Sequence, residues 1–427
     1  MIIHVVQSGD TLYKIANRYG VTIDKLVQDN QLLTPDRLIV GQDIVVNIAN
    51  IPHTVVSGDT MWKLANYYGV SLQELINANP QIPNPNRLMV GDIINIPTTE
   101  ANKRTIDVNG YAIANISMNT LTNTLPNLTY LSIFSYQVKE DGGLYILYEQ
   151  DLINTARRKN VAPLMVVTNI GMSGGFDSQL AHTILTDMQV QQNLINNIII
   201  TLQAKNYYGV DIDFEYIYPQ DRQNYVNFLQ NLKNQLTPYG FSLSVAVAPK
   251  YSSNQQGLLY EAHDYQAIGA IADRVIIMTY EWGYIYGPPM AVSPYSEVRK
   301  VIEYATTVIP PEKILMGVPN YAYDWTLPFT QGSVATTLTI NGALNLAIEK
   351  GSQIIFDEKS QTPYFNYVDN MGNMHVVWFE NARSIQSKLS LVNKFNLGGI
   401  SYWTINSFWN VGFVVLNNMF NVNKVLQ

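Results

Sequence analysis

Eight apolar, β-rich runs alternate with helix-like stretches from about residue 105 to the end of this 427-residue chain. The runs are nearly continuous in Val, Ile and Leu, which is typical of parallel strands that helices cover. They span Val108–Ile113, Tyr130–Val138, Pro163–Ile170, Tyr207–Tyr216, Phe241–Ala248, Arg274–Tyr280, Ile314–Asn320 and Gly398–Ile405. Eight such strands predict an α/β fold, a (β/α)8 TIM barrel, with its chemistry at the carboxyl ends of the strands.

The fourth run ends in three acidic residues that alternate with apolar ones. Asp211, Asp213 and Glu215 fall on one face of a strand, because successive side chains point to opposite faces. That face must point into the barrel mouth, since helices cover the outside. Carboxylates about 7 Å apart cannot all stay ionised in a partly desolvated site, so we expect a raised pKa and a shared proton. An exposed acidic strand end or a cation site is the alternative.

Before these runs, one pattern occurs twice. The segment His4–Thr11 recurs as His53–Thr60, and Arg37–Gly41 recurs as Arg87–Gly91. Each copy predicts a strand, a helix whose N-terminus Asp or Thr can cap, a second helix and a returning strand. In the second copy, Ser71-Leu72-Gln73-Glu74 is a capping-box sequence. We therefore predict two small βααβ modules, residues 1–48 and 51–97, before a barrel at 101–427.

Composition excludes several classes of function. Lys and Arg number 26 against 33 Asp and Glu, a net charge of −7, which argues against a nucleic-acid partner. The chain has no Cys, so disulfides, thiol catalysis and Cys-based zinc sites are excluded. The apolar runs are shorter than the roughly 20 residues of a membrane helix, and the N-terminus lacks signal-peptide features. A surface rich in Tyr, Asn and Gln suits carbohydrate.

Both N-terminal repeats resemble LysM modules, on the residues quoted above. The resemblance implies binding of N-acetylglucosamine-containing glycans, such as peptidoglycan or chitin, in a groove between the first strand–helix loop and the second helix–strand loop. The implied contacts are Gly9, Asp10, Thr11, Gln31 and Leu32, and Gly58, Asp59, Thr60, Gln81 and Ile82. Helix capping is the alternative role for the Gly-Asp-Thr sets, and a packing unit without a ligand is the alternative for the modules.

The strand ends of the second region resemble glycoside hydrolase family 18, the chitinase-like family. Gly209–Tyr216 is similar to its DxxDxDxE signature, Ser173-Gly174-Gly175 to its SxGG element, and Met278–Glu281 to its Met-x-Tyr-Asp element. Gly398–Trp403 matches the last strand of the family. With the two repeats, the resemblance covers the whole chain and implies a glycosidase that hydrolyses N-acetylglucosaminyl bonds.

The resemblance also implies a role for each matching residue. Glu215 would protonate the glycosidic oxygen, and the substrate's own acetamide oxygen would attack the anomeric carbon, since this family needs no protein nucleophile. Asp213 would orient the acetamide, and Asp211 would hold a proton or charge beneath it. Tyr280 would hydrogen-bond the acetamide carbonyl, and Trp403 would stack on the sugar. No metal or organic cofactor is implied.

Two positions depart from the family pattern. Tyr208 stands where the signature has its first Asp, and Glu281 replaces the Asp that usually follows the Tyr. The catalytic glutamate position is retained, which favours an enzyme. Besides Trp403, we expect substrate contacts from five positions: Tyr208, Gly174, Gly175, Glu281 and Asp324, although a loop cap is as plausible for Asp324.

The combination of two LysM modules with a family 18 barrel and no signal peptide resembles the spore cortex-lytic glycosidases of spore-forming bacteria. It implies an N-acetylglucosaminidase that acts on cortex peptidoglycan fragments in the coat and cortex region of the spore. We expect glycans as partners, no nucleic acid, no membrane and a monomer. A chitinase and a non-catalytic wall-binding protein are the alternatives.

Overall fold

The computed structural model describes residues 1–48, 50–68, 70–97 and 103–426. The predicted boundary between the second repeat and the barrel, at residues 98–101, lies outside the described residues, as do position 102 and the final residue. Among the described helices, none is both long enough and apolar enough to cross a membrane.

Each N-terminal repeat folds as the predicted βααβ module. The first contains β1 (Ile2–Val5), α1 (Leu12–Tyr19), α2 (Ile23–Asn30) and β2 (Asp43–Val46). The second contains β3 (Asn50–Thr54), α3 (Met61–Tyr68), α4 (Leu72–Asn77) and β4 (Ile93–Pro97). The two strands of each module pair antiparallel, and the capping box at Ser71 and Glu74 is formed.

The eight predicted strands form a closed parallel barrel, which confirms the predicted fold. Neighbouring strands pair in chain order, and the last one pairs with the first. The barrel strands are β5 (Thr105–Ile113), β6 (Tyr130–Gln137), β7 (Ala162–Thr168), β8 (Gly209–Asp213), β9 (Ser242–Val247), β10 (Arg274–Ile277), β11 (Ile314–Pro319) and β17 (Gly399–Trp403).

Helices surround the barrel, and an additional sheet interrupts it. The helices are α5 (Met118–Thr124), α6 (Gln150–Arg158), α7 (Ser178–Thr186), α8 (Met188–Lys205), α9 (Arg222–Leu236), α10 (Tyr265–Ile271), α11 (Tyr295–Ala305), α12 (Ile340–Lys350), α13 (Ala382–Lys394) and α14 (Asn410–Met419). The inserted antiparallel sheet comprises β12 (Ala322–Leu327), β13 (Thr336–Leu338), β14 (Ile355–Asp357), β15 (Thr362–Val368) and β16 (Met374–Trp378). A short strand, β18 (Asn421–Val422), pairs with the start of β5. The inserted sheet was not predicted from the sequence.

The first module is docked on the barrel. Arg383, the second residue of α13, donates from its side chain to Asp43 Oδ1 at 2.7 Å and from its backbone N–H to Oδ2 at 2.9 Å. The backbone N–H of Ile354 donates to the Val40 carbonyl at 3.0 Å. Burial raises the pKa of Asp43 to about 6, although Arg383 opposes that rise. A buried charge pair and a backbone bond therefore hold this module against the barrel.

Replacement of Arg383 by Gln is expected to loosen this contact. The change leaves the buried Asp43 carboxyl without its cation, at a cost of about 2–3 kcal/mol. Amide hydrogen exchange in residues 37–46 should then quicken by roughly 30-fold or more, as read by mass spectrometry. Arg299→Gln is the control, because it breaks only an exposed pair with Glu303. Equal exchange in both variants would contradict the docking role.

Candidate active site

The carboxyl end of β8 places three acidic side chains in the barrel mouth. Asp211 and Asp213 lie on the strand and are buried, whereas Glu215 follows the strand and is half-buried. We had predicted a strand over the whole run Tyr207–Tyr216, but the hydrogen-bonded ladder ends at Asp213. Glu215 therefore stands on the rim, where a substrate can reach it.

Asp211 is the deepest of the three, and two hydroxyl groups hold it. Tyr111 donates to Oδ2 at 2.5 Å, and Ser244 donates to Oδ1 at 2.7 Å. Burial raises the pKa of Asp211, and these hydrogen bonds oppose that rise. Neither Tyr111 nor Ser244 was predicted from the sequence, although both are polar residues within apolar barrel strands, a pattern that could have indicated them.

Asp213 lies between the other two carboxyl groups, and one of its oxygen atoms lacks a hydrogen-bond partner in the part of the chain that the structure describes. Its Oδ1 atom is buried and has no hydrogen-bond partner among the described residues. Burial raises the pKa of Asp213 well above its usual range, and repulsion from Glu215 and Asp211 adds to the rise. A buried polar atom without a partner is costly in a folded protein. Such an atom is available to a substrate group that can hydrogen-bond to it.

Glu215 has the pKa of a general acid. Burial raises that pKa to about 7, and repulsion from Glu281 contributes. The amide of Asn169 fixes its backbone on both sides: Asn169 Oδ1 accepts from the Glu215 N–H and Nδ2 donates to its carbonyl, each at 2.9 Å. A group that titrates near 7 can give and regain a proton at neutral pH.

Glu281 follows β10 and faces the same carboxyl groups. Tyr323 donates to its Oε1 atom at 2.9 Å, and Tyr321 donates to the same atom. Burial raises the pKa of Glu281, and the two tyrosines oppose this. The Glu281 carboxyl is therefore held by two hydroxyl donors, Tyr321 just before β12 and Tyr323 on β12.

Two aromatic side chains complete the site. Tyr280 is buried, and burial followed by repulsion from Asp213 and Glu215 raises its pKa well above the usual range, so its hydroxyl stays protonated as a donor. A Cβ atom on Gly317 would lie 2.8 Å from the Tyr280 ring, so this position needs glycine. Trp403 ends β17 and meets Tyr111 edge-on, with ring centroids 5.4 Å apart.

Two predicted substrate contacts lie elsewhere, and we correct them. Tyr208 precedes β8, packs against Tyr130 with ring centroids 6.0 Å apart, and so lies at the amino end of the barrel, away from Glu215. Asp324 is neither a loop cap nor a site residue. It accepts from Tyr367 at 2.7 Å and bonds His375 at 2.9 Å, on the face of β12 opposite Tyr323, because side chains alternate along a strand.

Gly174 and Gly175 lie in an exposed turn after β7, at the carboxyl end of the barrel. Gly174 has a φ of 85°, which favours glycine. The Gly171 N–H donates to the Gly175 carbonyl at 2.9 Å and closes the turn. The turn is on the same end of the barrel as Glu215, but its glycines remain predicted substrate contacts.

In the LysM modules, the predicted Gly-Asp-Thr contacts also have structural roles. Asp10 accepts from the Gln7 N–H and bonds His4, and Thr11 caps α1. The equivalent residues of the second module repeat this arrangement: Gly58 has a φ of 93°, Asp59 bonds His53, and Thr60 accepts from the Lys63 N–H. Gly9 has a φ of 84° in the first module. Thr11 and Thr60 therefore cap helices, Asp10 and Asp59 hold the preceding turns, and a glycan role for these residues remains a prediction.

The second half of the predicted groove differs between the modules. Gln31 accepts from the Asn410 N–H at 2.5 Å, and Leu32 is buried in the space between the module and the barrel. These two contacts face protein, so we withdraw them as glycan contacts. A surface cleft in the first module is lined by Asp10 and Thr11 together with Tyr13, Ile23 and Pro35. In the second module, Gln81 is exposed and Ile82 is half-buried.

Within the described residues, no group of three or more His, Asp or Glu side chains could hold a metal ion. The His residues bond carboxylates, a tyrosine or backbone atoms instead, for example His182 with Asp221 at 2.7 Å and His263 with the Phe214 carbonyl at 3.0 Å.

Comparison with known proteins identifies the class. The sequence profile of "Glycosyl hydrolases family 18" matches residues 107–407, and that of the "LysM domain" matches residues 4–47 and 53–97. The chain belongs to glycosyl hydrolase family 18 and carries two LysM domains before the catalytic barrel.

Two of the relatives are similar over the full length. The chain is 42% identical to the "Cortical fragment-lytic enzyme" of Bacillus subtilis (strain 168), and 99% of each chain is covered. The crystal structure of the Bacillus megaterium QM B1551 spore cortex-lytic enzyme SleL matches with a TM-score of 0.93 at 38% identity, and 99% of each chain is covered. A Chromobacterium violaceum ATCC 12472 chitinase matches with a TM-score of 0.69 at 26% identity over 74% of this chain and 99% of that one.

Proposed function

We propose that this protein is a retaining N-acetylglucosaminidase that hydrolyses peptidoglycan fragments of the spore cortex. The observation that carries the reaction is the row of Asp211, Asp213 and Glu215, in which a carboxyl with a pKa of about 7 adjoins a buried, unpartnered one. The full-length likeness to enzymes named for cortex lysis supports the substrate.

The reaction follows from the positions of these groups. The protonated Glu215 donates its proton to the glycosidic oxygen as the bond breaks. The acetamide oxygen of the same sugar attacks the anomeric carbon, so that no protein nucleophile is required. Asp213 accepts from the acetamide N–H and balances the positive charge that develops on the ring. Glu215, now ionised, takes a proton from water, which opens the intermediate with overall retention.

The remaining residues orient the sugar. Tyr280 donates to the acetamide oxygen, and Trp403 gives the sugar an apolar face to rest on. Tyr111 and Ser244 hold Asp211 beneath Asp213, so that the charge of the pair is shared. The LysM modules bind the glycan, and we propose that they keep the enzyme with the cortex and coat of the spore, acting as a monomer.

Product analysis tests this function. Purified cortex fragments should yield products with N-acetylglucosamine at the new reducing end, as identified by mass spectrometry after borohydride reduction. Chitin oligomers serve as the comparison substrate. If chitin oligomers are cleaved and the cortex fragments remain intact, a chitinase is favoured. Sedimentation with cell wall without cleavage of either glycan would contradict an enzymatic role.

The pH dependence gives a prediction about Glu281. Since the acid must be protonated, kcat/KM should fall as pH rises through about 7, the pKa of Glu215. Glu281→Gln removes the repulsion that helps to raise this pKa, so the fall should move to lower pH. Burial, the larger cause, remains and keeps the pKa above the usual range of a glutamate. A pH profile of kcat/KM measures the shift.

Glu303→Gln is the control for this prediction, because Glu303 lies exposed on α11 and pairs with Arg299. Its profile should match that of the wild type. An unchanged profile in Glu281→Gln would show that Glu281 does not influence the acid.

A further inference from the structure

A second cleft lies beside the catalytic carboxyl groups at the same end of the barrel. It has a volume of about 650 Å³ and runs between the loop after β6 and the loop after β7. Lys139, Glu140 and Tyr145 line one side, and Met172, Asp177 and Gln179 line the other. The proposed reaction uses none of these residues.

One hairpin separates this cleft from the active site. Ile170 and Phe176 pair antiparallel at the ends of the loop after β7. The Phe176 ring packs against the ring of Tyr216, the residue that follows the acid, with centroids 6.4 Å apart. The Ser178 hydroxyl donates to the Tyr216 carbonyl at 2.5 Å. Only the loop after β7 therefore separates the cleft from a substituent on a sugar that is bound next to Glu215.

The charged side chains of the cleft differ in whether they have partners within the protein. Asp141 accepts from the Gly143 N–H, and Asp177 accepts from two N–H groups at the start of α7. Lys139 is exposed and forms no ion pair among the described residues, although its Nζ lies 5.0 Å from the centroid of the Tyr145 ring. Glu140 also lines the cleft beside Asp141 and Asp177, but no carboxylate among the described residues forms an ion pair with Lys139.

The apolar part of the cleft is unlike a sugar-stacking surface. Lys139 covers the face of Tyr145, so that face is not open to a sugar ring. The Tyr145 hydroxyl contacts Met172 Sδ at 3.1 Å, and the Met172 side chain is 87% exposed. A flexible thioether beside an aromatic edge and a free cation suits a small aliphatic chain that carries a carboxylate.

We propose that this cleft binds the peptide stem of the muramyl sugar on the leaving-group side of the scissile bond. The inference rests on the proposed peptidoglycan substrate and adds to it the part of that substrate that the cleft recognises. Glu215 protonates the oxygen that joins the cleaved sugar to its neighbour, and we place that neighbour on the side of the loop that packs on Tyr216. A stem carboxylate pairs with Lys139, and the alanine methyl groups of the stem pack against Met172.

The test compares one set of cortex fragments before and after an amidase removes the peptide stems. For the wild type, kcat/KM should be higher on the stem-bearing fragments. Lys139→Gln should lower kcat/KM on these fragments by about fivefold, as expected for one exposed ion pair, and should leave the stem-free fragments unaffected. Lys159→Gln is the matched control, since Lys159 is an exposed lysine before the amino end of β7.

Two results would overturn the inference. Equal kcat/KM on both fragment sets with wild-type protein would show that the stem is not recognised. An equal loss on both sets with Lys139→Gln would show that Lys139 acts on the site as a whole. Absence of cleavage of either set by the wild type is a different result, because it contradicts the proposed peptidoglycan substrate itself and the inference with it.

Discussion

Replacement of Glu215 by Gln is expected to lower kcat by roughly 10²–10⁴-fold. Glutamine has nearly the same shape, so the backbone hydrogen bonds between position 215 and Asn169 can persist. The amide cannot donate the proton that the leaving oxygen needs, and the bond must then break to an unprotonated alkoxide. KM should change little, because the proton is transferred in the transition state and is not required for binding.

Initial rates on a soluble N-acetylglucosamine oligomer or a cortex fragment measure this effect. Glu312→Gln provides the matched control: it removes an exposed carboxyl that precedes β11, at the amino end of the barrel. A Glu215→Gln enzyme with more than a tenth of the wild-type kcat would show that another group supplies the proton.

Replacement of Asp213 by Asn is expected to lower kcat by roughly 10²–10³-fold. The Asp213 carboxyl is buried, and its Oδ1 atom has no partner among the described residues. In the proposed reaction that oxygen accepts the acetamide N–H, and the carboxylate balances the charge of the cyclic intermediate. An asparagine retains the shape but not the charge, so the intermediate loses its main stabilising interaction.

Asp213→Asn should not destabilise the fold, because burial and the two neighbouring carboxyl groups already disfavour the ionised form of Asp213, and an asparagine has no ionised form. Thermal unfolding should therefore show a melting temperature equal to or above that of the wild type, while kcat falls. Asp24→Asn, at an exposed position on α2, is the control for both measurements. A lower melting temperature with a proportionate loss of activity would point to a structural role for Asp213.

Much of the fold could be predicted because its signals are local. Apolar runs separated by helical segments indicate parallel strands, and the closed barrel of β5–β11 and β17 confirms that prediction. The repeat of His4–Thr11 at His53–Thr60 likewise gave the two βααβ modules. Two strands of the inserted sheet, β13 and β14, have only three residues each, which is too few for a periodic pattern to identify them.

The site residues that share one strand could be predicted from the sequence. The residues that come together from different strands of the barrel could not. Alternation places Asp211, Asp213 and Glu215 together without knowledge of tertiary structure. Tyr111 and Ser244 come from strands β5 and β9, and only the closure of the barrel brings them to Asp211. The Tyr208 prediction was wrong for a related reason: a signature position one step before the strand lies at the other end of the barrel.

The docking of the first module could not be predicted from either repeat. Both modules have the same local sequence signals, yet Asp43 of the first is buried against Arg383, while its counterpart in the second, Ile93, is 58% exposed. The difference lies in the matching surface on α13, which is distant in the sequence. For the same reason, the glycan contacts assigned to Gln31 and Leu32 were wrong for the first module.

The central claim, hydrolysis by the substrate's own acetamide with Glu215 as the acid, is tested most directly by the configuration of the first product. Proton NMR of a reaction that is completed within seconds to minutes, before mutarotation, reports the anomeric configuration at the new reducing end. Retention of the configuration of the cleaved bond is the predicted result, because the anomeric carbon is attacked twice, first by the acetamide oxygen and then by water, and each attack inverts it. A product of inverted configuration would contradict the mechanism, since it requires water to attack the sugar directly.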